Sequence, residues 1–321
     1  MTRATLSWAT ALLLTAVTHR AQAFVGDQWN LNAPGSLGWS ATYSEVAARK
    51  SDGSIWVKQT NPTVGSWSSL GNPSGGTSSG PQIGTFHNYS LGQDQTYYVV
   101  RGPYPSDPGN IWERHYTSNT GWSSWAPTFG MPPSGTRTAP TVGYDQYGGL
   151  LIAVLDTNWI PWVRGMNSDG SLTDWLQAGT QALDSVPGAV ISPNQDWGIF
   201  GLMNDGRIYQ SQCLYEHCFD TWTEVPGMGR AAAGPLAVGY IDPSSNDDIT
   251  VAVFGTDSHP YINTSIGGTF GSWNYLAGSP ADSAVSVLYF WTTHSTIETV
   301  HRPDGNFWTG QGGGWSSIGH P

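Results

Sequence analysis

The stretch Val46–Gly71, VAARKSDGSIWVKQTNPTVGSWSSLG, decides the fold. It holds an apolar run, an Asp52-Gly53 turn, a strand carrying Ile55-Trp56, and then Trp67 followed by small polar residues and Gly71. The same order returns in IFGLMNDGRIYQSQ…FDTWTEVPG (Ile199 to Gly227) and in ETVHRPDGNFWTGQGGGWSSIG (Glu298 to Gly319). Looser copies begin at Val99, Ile152 and Val251. The closing tryptophans are Trp67, Trp125, Trp175, Trp222, Trp273 and Trp315, separated by 58, 50, 47, 51 and 42 residues. A repeat of this length, with several short strands in each copy, is the signature of propeller blades. The reading is an all-β, six-bladed β-propeller filling residues 24–321. A seven-bladed ring, with Gln28 to Ser44 as a damaged blade, is the alternative.

Composition supports that reading. Of 321 residues only 11% are charged, while Gly (41) and Trp (17) are abundant. This mixture suits tight turns and aromatic-filled strands, and the aromatic content excludes a disordered chain. A net charge of −11 with no basic cluster excludes nucleic acid as a partner, because that binding rests on Lys and Arg neutralising phosphates.

The first 23 residues read as a secretory signal: Arg3, an apolar core from Leu6 to Val17, and a small-x-small cleavage site at Ala21-Gln22-Ala23. The apolar run is too short to span a bilayer and nothing similar follows, so no membrane span is expected. Cys213 and Cys218, the only cysteines, are spaced CLYEHC and fit a small disulfide in an oxidising compartment. A zinc site with His217 would lack a fourth ligand. Asn88-Tyr89-Ser90 and Asn263-Thr264-Ser265 are glycosylation sequons, expected on the surface.

Within each copy, runs such as Tyr97 to Val100, Leu150 to Leu155, Ile249 to Phe254 and Ser286 to Phe290 are apolar on both faces. They are expected to be the strands nearest the propeller axis. Asp-Gly turns follow, the third copy placing its pair one strand late. The ring is expected to close by an N-terminal strand joining the last blade, near Trp29 or Trp39, since an open ring leaves sheet edges exposed.

No catalytic signature for a serine hydrolase, zinc protease, nucleotide or dinucleotide enzyme is present, so no metal and no cofactor are expected. What remains is recognition by aromatic and hydrogen-bonding side chains. Two residues past each central aromatic stand Lys58, Arg114, Arg164, Ser211, Asn263 and Thr309. At the preceding position Glu113 is the only acid. A protein binding one sugar at every junction would repeat its ligand-binding groups as faithfully as its structural tryptophans. This chain repeats the tryptophans and not the polar set.

The pattern, with strands like NIWERHYTSNTGWSSW, resembles the fungal fucose-binding lectins and related secreted propellers over nearly the whole chain. That resemblance implies a sugar site of Arg, Glu and Trp at blade junctions, with Glu113 at the Glu position and Arg101 and Trp122 as companions. The other blades lack the triad. A second branch of the same resemblance, secreted propellers acting as intermolecular hetero-Diels–Alderases, fits that loss. It implies a pocket that binds a hydroxymethyl tropolone, assists loss of water, and aligns the resulting quinone methide with a humulene-type sesquiterpene. Candidate donors are Arg101, Arg164, Lys58 and His301, with His115 and Glu113 as acids and Trp56, Trp162 and Tyr209 as walls. Fucose or another glycan is the alternative ligand.

Overall fold

The computed structural model describes residues 29–32, 44–61, 64–88, 92–103, 107, 109–117, 119–144, 149–191, 196–214, 217–218, 220–227, 232–240, 248–276, 281, 286–290, 295–311 and 314–321. The segment 1–23 read as a secretory signal, Trp39 and the end of the first sequon lie outside them. Among the described residues there are six antiparallel sheets of four or five strands and no helix, hence none long and apolar enough to cross a membrane. The chain folds as a six-bladed β-propeller.

Blade 1 is β1 (Trp29–Asn32), β2 (Ser44–Arg49), β3 (Ile55–Asn61) and β4 (Ser68–Gly71), in that order from axis to rim. Blade 2 follows as β5 (Gln82–Asn88), β6 (Gln93–Arg101), β7 (Ile111–Thr117), β8 (Gly121–Trp122) and β9 (Ala126–Gly130). Blade 3 is β10 (Thr141–Tyr144), β11 (Leu150–Leu155), β12 (Pro161–Met166) and β13 (Leu176–Gln177). Blades 4, 5 and 6 begin with Gly188–Ile191, Ala232–Tyr240 and Ser286–Phe290, and the last ends at Gly319. The first strands of the six blades adjoin one another in a closed circuit, which makes them the axial ring.

Two expectations are corrected. The doubly apolar runs are mostly second strands, not first; only Ser286–Phe290 lies innermost. The physical reason is the packing between blades. In β11, Leu150, Ile152 and Val154 enter a core with Val99, Ile111 and Phe129 of blade 2. Leu151 and Ala153 enter another with Ala189, Ile191 and Ile199 of blade 4. A strand sandwiched on both faces reads as continuously apolar. The first strands must instead approach each other closely. A Cβ at Gly143 would lie 2.8 Å from the backbone of Ala189 and Val190.

The second correction concerns closure. β1 pairs with β2, Trp29 opposite Ala48, so the N-terminal strand completes the first blade and not the last. Blade 6 is built wholly from the C-terminal part of the chain. The ring closes by packing: Lys58 Nζ donates to the Ile318 carbonyl at 2.7 Å and Trp67 lies 5.7 Å from Phe307 between ring centres.

Every blade closes its second-to-third-strand hairpin with one equivalent backbone bond, donated by Lys50, Gly102, Asp156, Met203, Gly255 or Arg302. These bonds fix the alignment of the blades. The insertion after Arg101 is accommodated within the blade 2 hairpin, where Gly102 N–H reaches the Asn110 carbonyl at 2.9 Å. The late Asp169-Gly170 of blade 3 turns the next strand connection, with Gly170 at φ 84°. The alignment also shifts blade 6 by one residue: Trp308 is its central aromatic, so Gly310, not Thr309, stands two residues beyond.

Candidate functional site

The central aromatic of each blade is tied to its own hairpin. Trp112 Nε1 donates to Asp107, Trp162 Nε1 to Asp156 and Trp308 Nε1 to Asp304, while Tyr209 and Tyr261 donate their hydroxyls to Asp205 and Asp257. Trp56 Nε1 reaches Ser54 Oγ, itself bonded to Asp52. Trp56, Trp162 and Tyr209 therefore share this anchoring, on blades 1, 3 and 4.

A second repeated device joins adjacent blades. The outermost strand of a blade ends in a glycine at positive φ: Gly71 at 67°, Gly130 at 60° and Gly319 at 74°. The carbonyl just before that glycine receives donors from the next blade. Phe129 O accepts from Arg164 Nη1 at 2.6 Å and Trp175 Nε1 at 3.1 Å, and Leu70 O from Arg114 Nη1 and from Trp125 Nε1 at 3.1 Å. Pro226 O takes the Asn263 amide at 3.4 Å and Trp273 Nε1 at 3.1 Å. The six closing tryptophans are all half-buried at these junctions. Enclosure between blades lowers the pKa of Lys58, Arg114 and Arg164, because desolvation disfavours a cation.

This device explains Asn263. Its side chain is fully buried, with Nδ2 donating to Gly271 O at 3.1 Å, against the surface position expected of a sequon. The folded chain has no room there for a glycan. Asn88 ends β5. Cys213 and Cys218 face each other across a tight hairpin and form the disulfide.

Five of the candidates converge on one junction. In β6 and β7 the register sets Tyr97 opposite His115, Val99 opposite Glu113 and Arg101 opposite Ile111. Alternation puts these six side chains on one face, and Tyr97, Val99 and Ile111 show that it is the face toward blade 3. Trp162 packs on the same cluster from the blade 3 side, and Arg164 crosses beside it. Arg101, Glu113, His115, Trp162 and Arg164 thus meet between blades 2 and 3, whereas Trp56 and Lys58 face blade 6. His301 lies in the second strand of blade 6, opposite Phe307. Trp122 is on the other side of blade 2, 5.4 Å from Tyr98 and beneath Arg114.

At this junction Glu113 is buried at 4% exposure, yet its carboxylate keeps two hydrogen bonds: His115 Nδ1 to Oε2 at 3.0 Å and Thr128 Oγ1 to Oε1 at 2.8 Å. The bond holds a half-buried imidazole by its Nδ1 and fixes the ring's orientation. The Tyr97 ring lies 5.0 Å from that imidazole, and burial together with the Glu113 charge raises the Tyr97 pKa well above its usual value, so this phenol stays neutral. On the other side of Glu113, Arg101 Nη1 donates to the Arg137 carbonyl at 2.8 Å in the segment linking the two blades. Along the sheet the Arg101 and His115 backbones are about 13 Å apart, with Glu113 between them. Among the described residues no cluster of three His, Cys, Asp or Glu side chains could hold a metal.

Sequence reasoning missed Thr128, Tyr97 and Arg137. Thr128 and Arg137 sit in segments whose approach to the junction follows only from the strand order.

No protein-family model matches the chain, and no curated protein sequence does. Solved structures do. AofleA from Arthrobotrys oligospora aligns at TM-score 0.61 and 11% identity over 92% of this chain and 90% of its own. The Aleuria aurantia lectin, described as a six-bladed β-propeller with a novel fucose recognition mode, aligns at 0.62 and 14% over 92% and 97%. The BP39L lectin of Burkholderia pseudomallei aligns at 0.59 and 15% over 90% and 84%. At these identities the likeness is one of fold.

Proposed function

We propose that this secreted propeller binds one small oxygenated molecule between blades 2 and 3 and acts there as a cofactor-free hetero-Diels–Alderase. The observation that carries the reading is the His115–Glu113 pair, a buried carboxylate orienting a half-buried imidazole, on the face that also presents Arg101. The other blades carry Val57, Val163, Gln210, Ile262 and Thr309 at the Glu113 position. His115 hands a proton to the departing hydroxyl of a hydroxymethyl tropolone, which leaves as water, and the ring hydroxyl returns a proton to the imidazole, so that the net loss is one water and the product is the neutral quinone methide. Its oxygen and exocyclic carbon then add across a terpene alkene, forming one C–O and one C–C bond with no change of oxidation state. The Arg101 guanidinium supplies a donor to the quinone methide oxygen. The wall of Trp162 and Tyr97 holds the apolar partner and excludes water. Holding both partners in a productive pose lowers the barrier by up to ~7–11 kcal/mol.

A second reading is favoured by the presence of Arg101 and Glu113 on one face of blade 2 and by the fucosides that the Aleuria aurantia lectin structures contain: capture of a single fucose-type glycan at this junction. One set of assays separates the two. The enzyme reading expects purified protein to change the rate and stereochemistry of coupling between a hydroxymethyl tropolone and humulene, and His115→Ala to remove that effect. No effect on the product mixture, with calorimetric binding of α-methyl fucoside at one equivalent per chain, sinks it in favour of glycan capture.

A further inference from the structure

The hairpin closing bond defines one position in every blade, the residue just before the one whose carbonyl accepts it. That position is Gly53, Gly109, Gly206 and Gly305 in blades 1, 2, 4 and 6, all at positive φ. In blade 3 it is Trp159 at φ 66°, and in blade 5 it is Ser258 at φ 65°. A bulky side chain in this region is a backbone outlier, and such residues persist only where the surroundings over-determine them. Here they do. Asp156 Oδ1 accepts the N–H groups of Asn158 and Ile160 at 2.8 and 3.0 Å, Oδ2 takes Ser134 Oγ at 2.7 Å, and Leu183 N–H holds the Trp159 carbonyl at 3.0 Å.

The indole so placed is half-buried and lies under Arg137, whose Cζ is 4.4 Å from the ring centre. The Arg137 carbonyl is the acceptor of Arg101 Nη1. A chain of contacts thus runs from the strained tryptophan through the linking segment to the guanidinium of the candidate site. Glycine would make the same turn without strain, as four sister blades show, so the turn itself does not call for an indole.

We infer that Trp159 is a ligand-contacting specificity residue, an aromatic face at the Arg101 end of the junction that stacks on a flat or apolar ring of the bound molecule. This rests on the assignment of the ligand site to the blade 2–blade 3 junction.

The test uses the full chain, with tropolone and α-methyl fucoside as probes, followed by calorimetry and by thermal unfolding. Trp159→Gly is expected to weaken the probe that the native chain binds by at least tenfold. Its Tm should stay level or rise by about 2–3 °C, since relief of strain offsets the lost contact with Arg137. Ser258→Gly, at the same position of blade 5, should raise Tm similarly and leave binding unchanged. Trp159→Phe should restore part of the affinity. Native affinity in Trp159→Gly overturns the inference while the site stands. A Tm that falls in step with affinity also overturns it, by making the indole structural. If the native chain binds neither probe, the site assignment fails and the inference falls with it.

Discussion

Replacing Arg164 by alanine separates its two candidate roles, a donor to ligand and a tie between blades. The guanidinium donates to Phe129 O at 2.6 Å through Nη1 and to Thr173 O at 2.8 Å through Nε. Hydrogen bonds from a charged donor are worth about 1.5–3 kcal/mol each. Phe129 O keeps Trp175 Nε1 at 3.1 Å, and water can replace part of what is lost at a half-buried site. The expected cost is therefore about 2–4 kcal/mol. An unfolding entropy of about 2.1 cal/mol/K per residue, over a chain of this length, converts that into a Tm lower by about 3–6 °C. Arg164→Lys, able to restore one of the two bonds, should recover about half. Scanning fluorimetry and urea unfolding measure the loss, and ligand titration well below both transitions measures the other role. An unchanged Tm in Arg164→Ala combined with tenfold weaker binding would refute the tie and make the guanidinium a ligand contact.

Other predictions follow from the same geometry. Gly143→Ala brings a Cβ to 2.8 Å from the backbone of the neighbouring first strand, which cannot move aside. It should cost about 1–3 kcal/mol or more, whereas Gly65→Ala, with only ordinary contacts, should be near neutral by urea unfolding. Burial pushes the Asp107 carboxyl up, but hydrogen bonds from Trp112, Asn110 and Gly109 together outweigh it and hold the pKa below 3.8. A depressed folded pKa gives stability that is present above the usual carboxylate range and lost as pH falls through the folded value. The Tm gap between the native chain and Asp107→Asn should thus be open at pH 6 and close in strong acid; a gap independent of pH counts against the account. Reducing the Cys213–Cys218 bond opens a loop with a sequence separation of 5, worth about 2 kcal/mol. The reduced chain should keep its circular-dichroism spectrum, with Tm lower by about 3 °C. Loss of the fold would show that the bridge does more than stiffen one hairpin.

Much of this architecture was legible because it repeats. Six closing tryptophans, the Asp-Gly turns and the doubly apolar runs imply blades. The device joining them is also written locally, as a tryptophan followed by a short strand and a glycine. Its partner is not: Arg164 and the Phe129 carbonyl are 35 residues apart, and Lys58 and Ile318 are 260 apart. A cation in a repeated strand position reads equally well as a ligand donor or a tie until the neighbouring blade is in place.

The chain alone determined the all-β class, the repeat that implies six blades with seven left open, the cysteine pairing and the uniqueness of Glu113 among the blades. These are properties of periodicity and of residues close in sequence. The tertiary structure decided which strand lies at the axis, how the ring closes, that Asn263 is enclosed, and that Arg101, Glu113 and His115 share a face with Trp162. Alternation along a strand says that neighbours point opposite ways. Which blade each side meets is fixed only when the ring is closed.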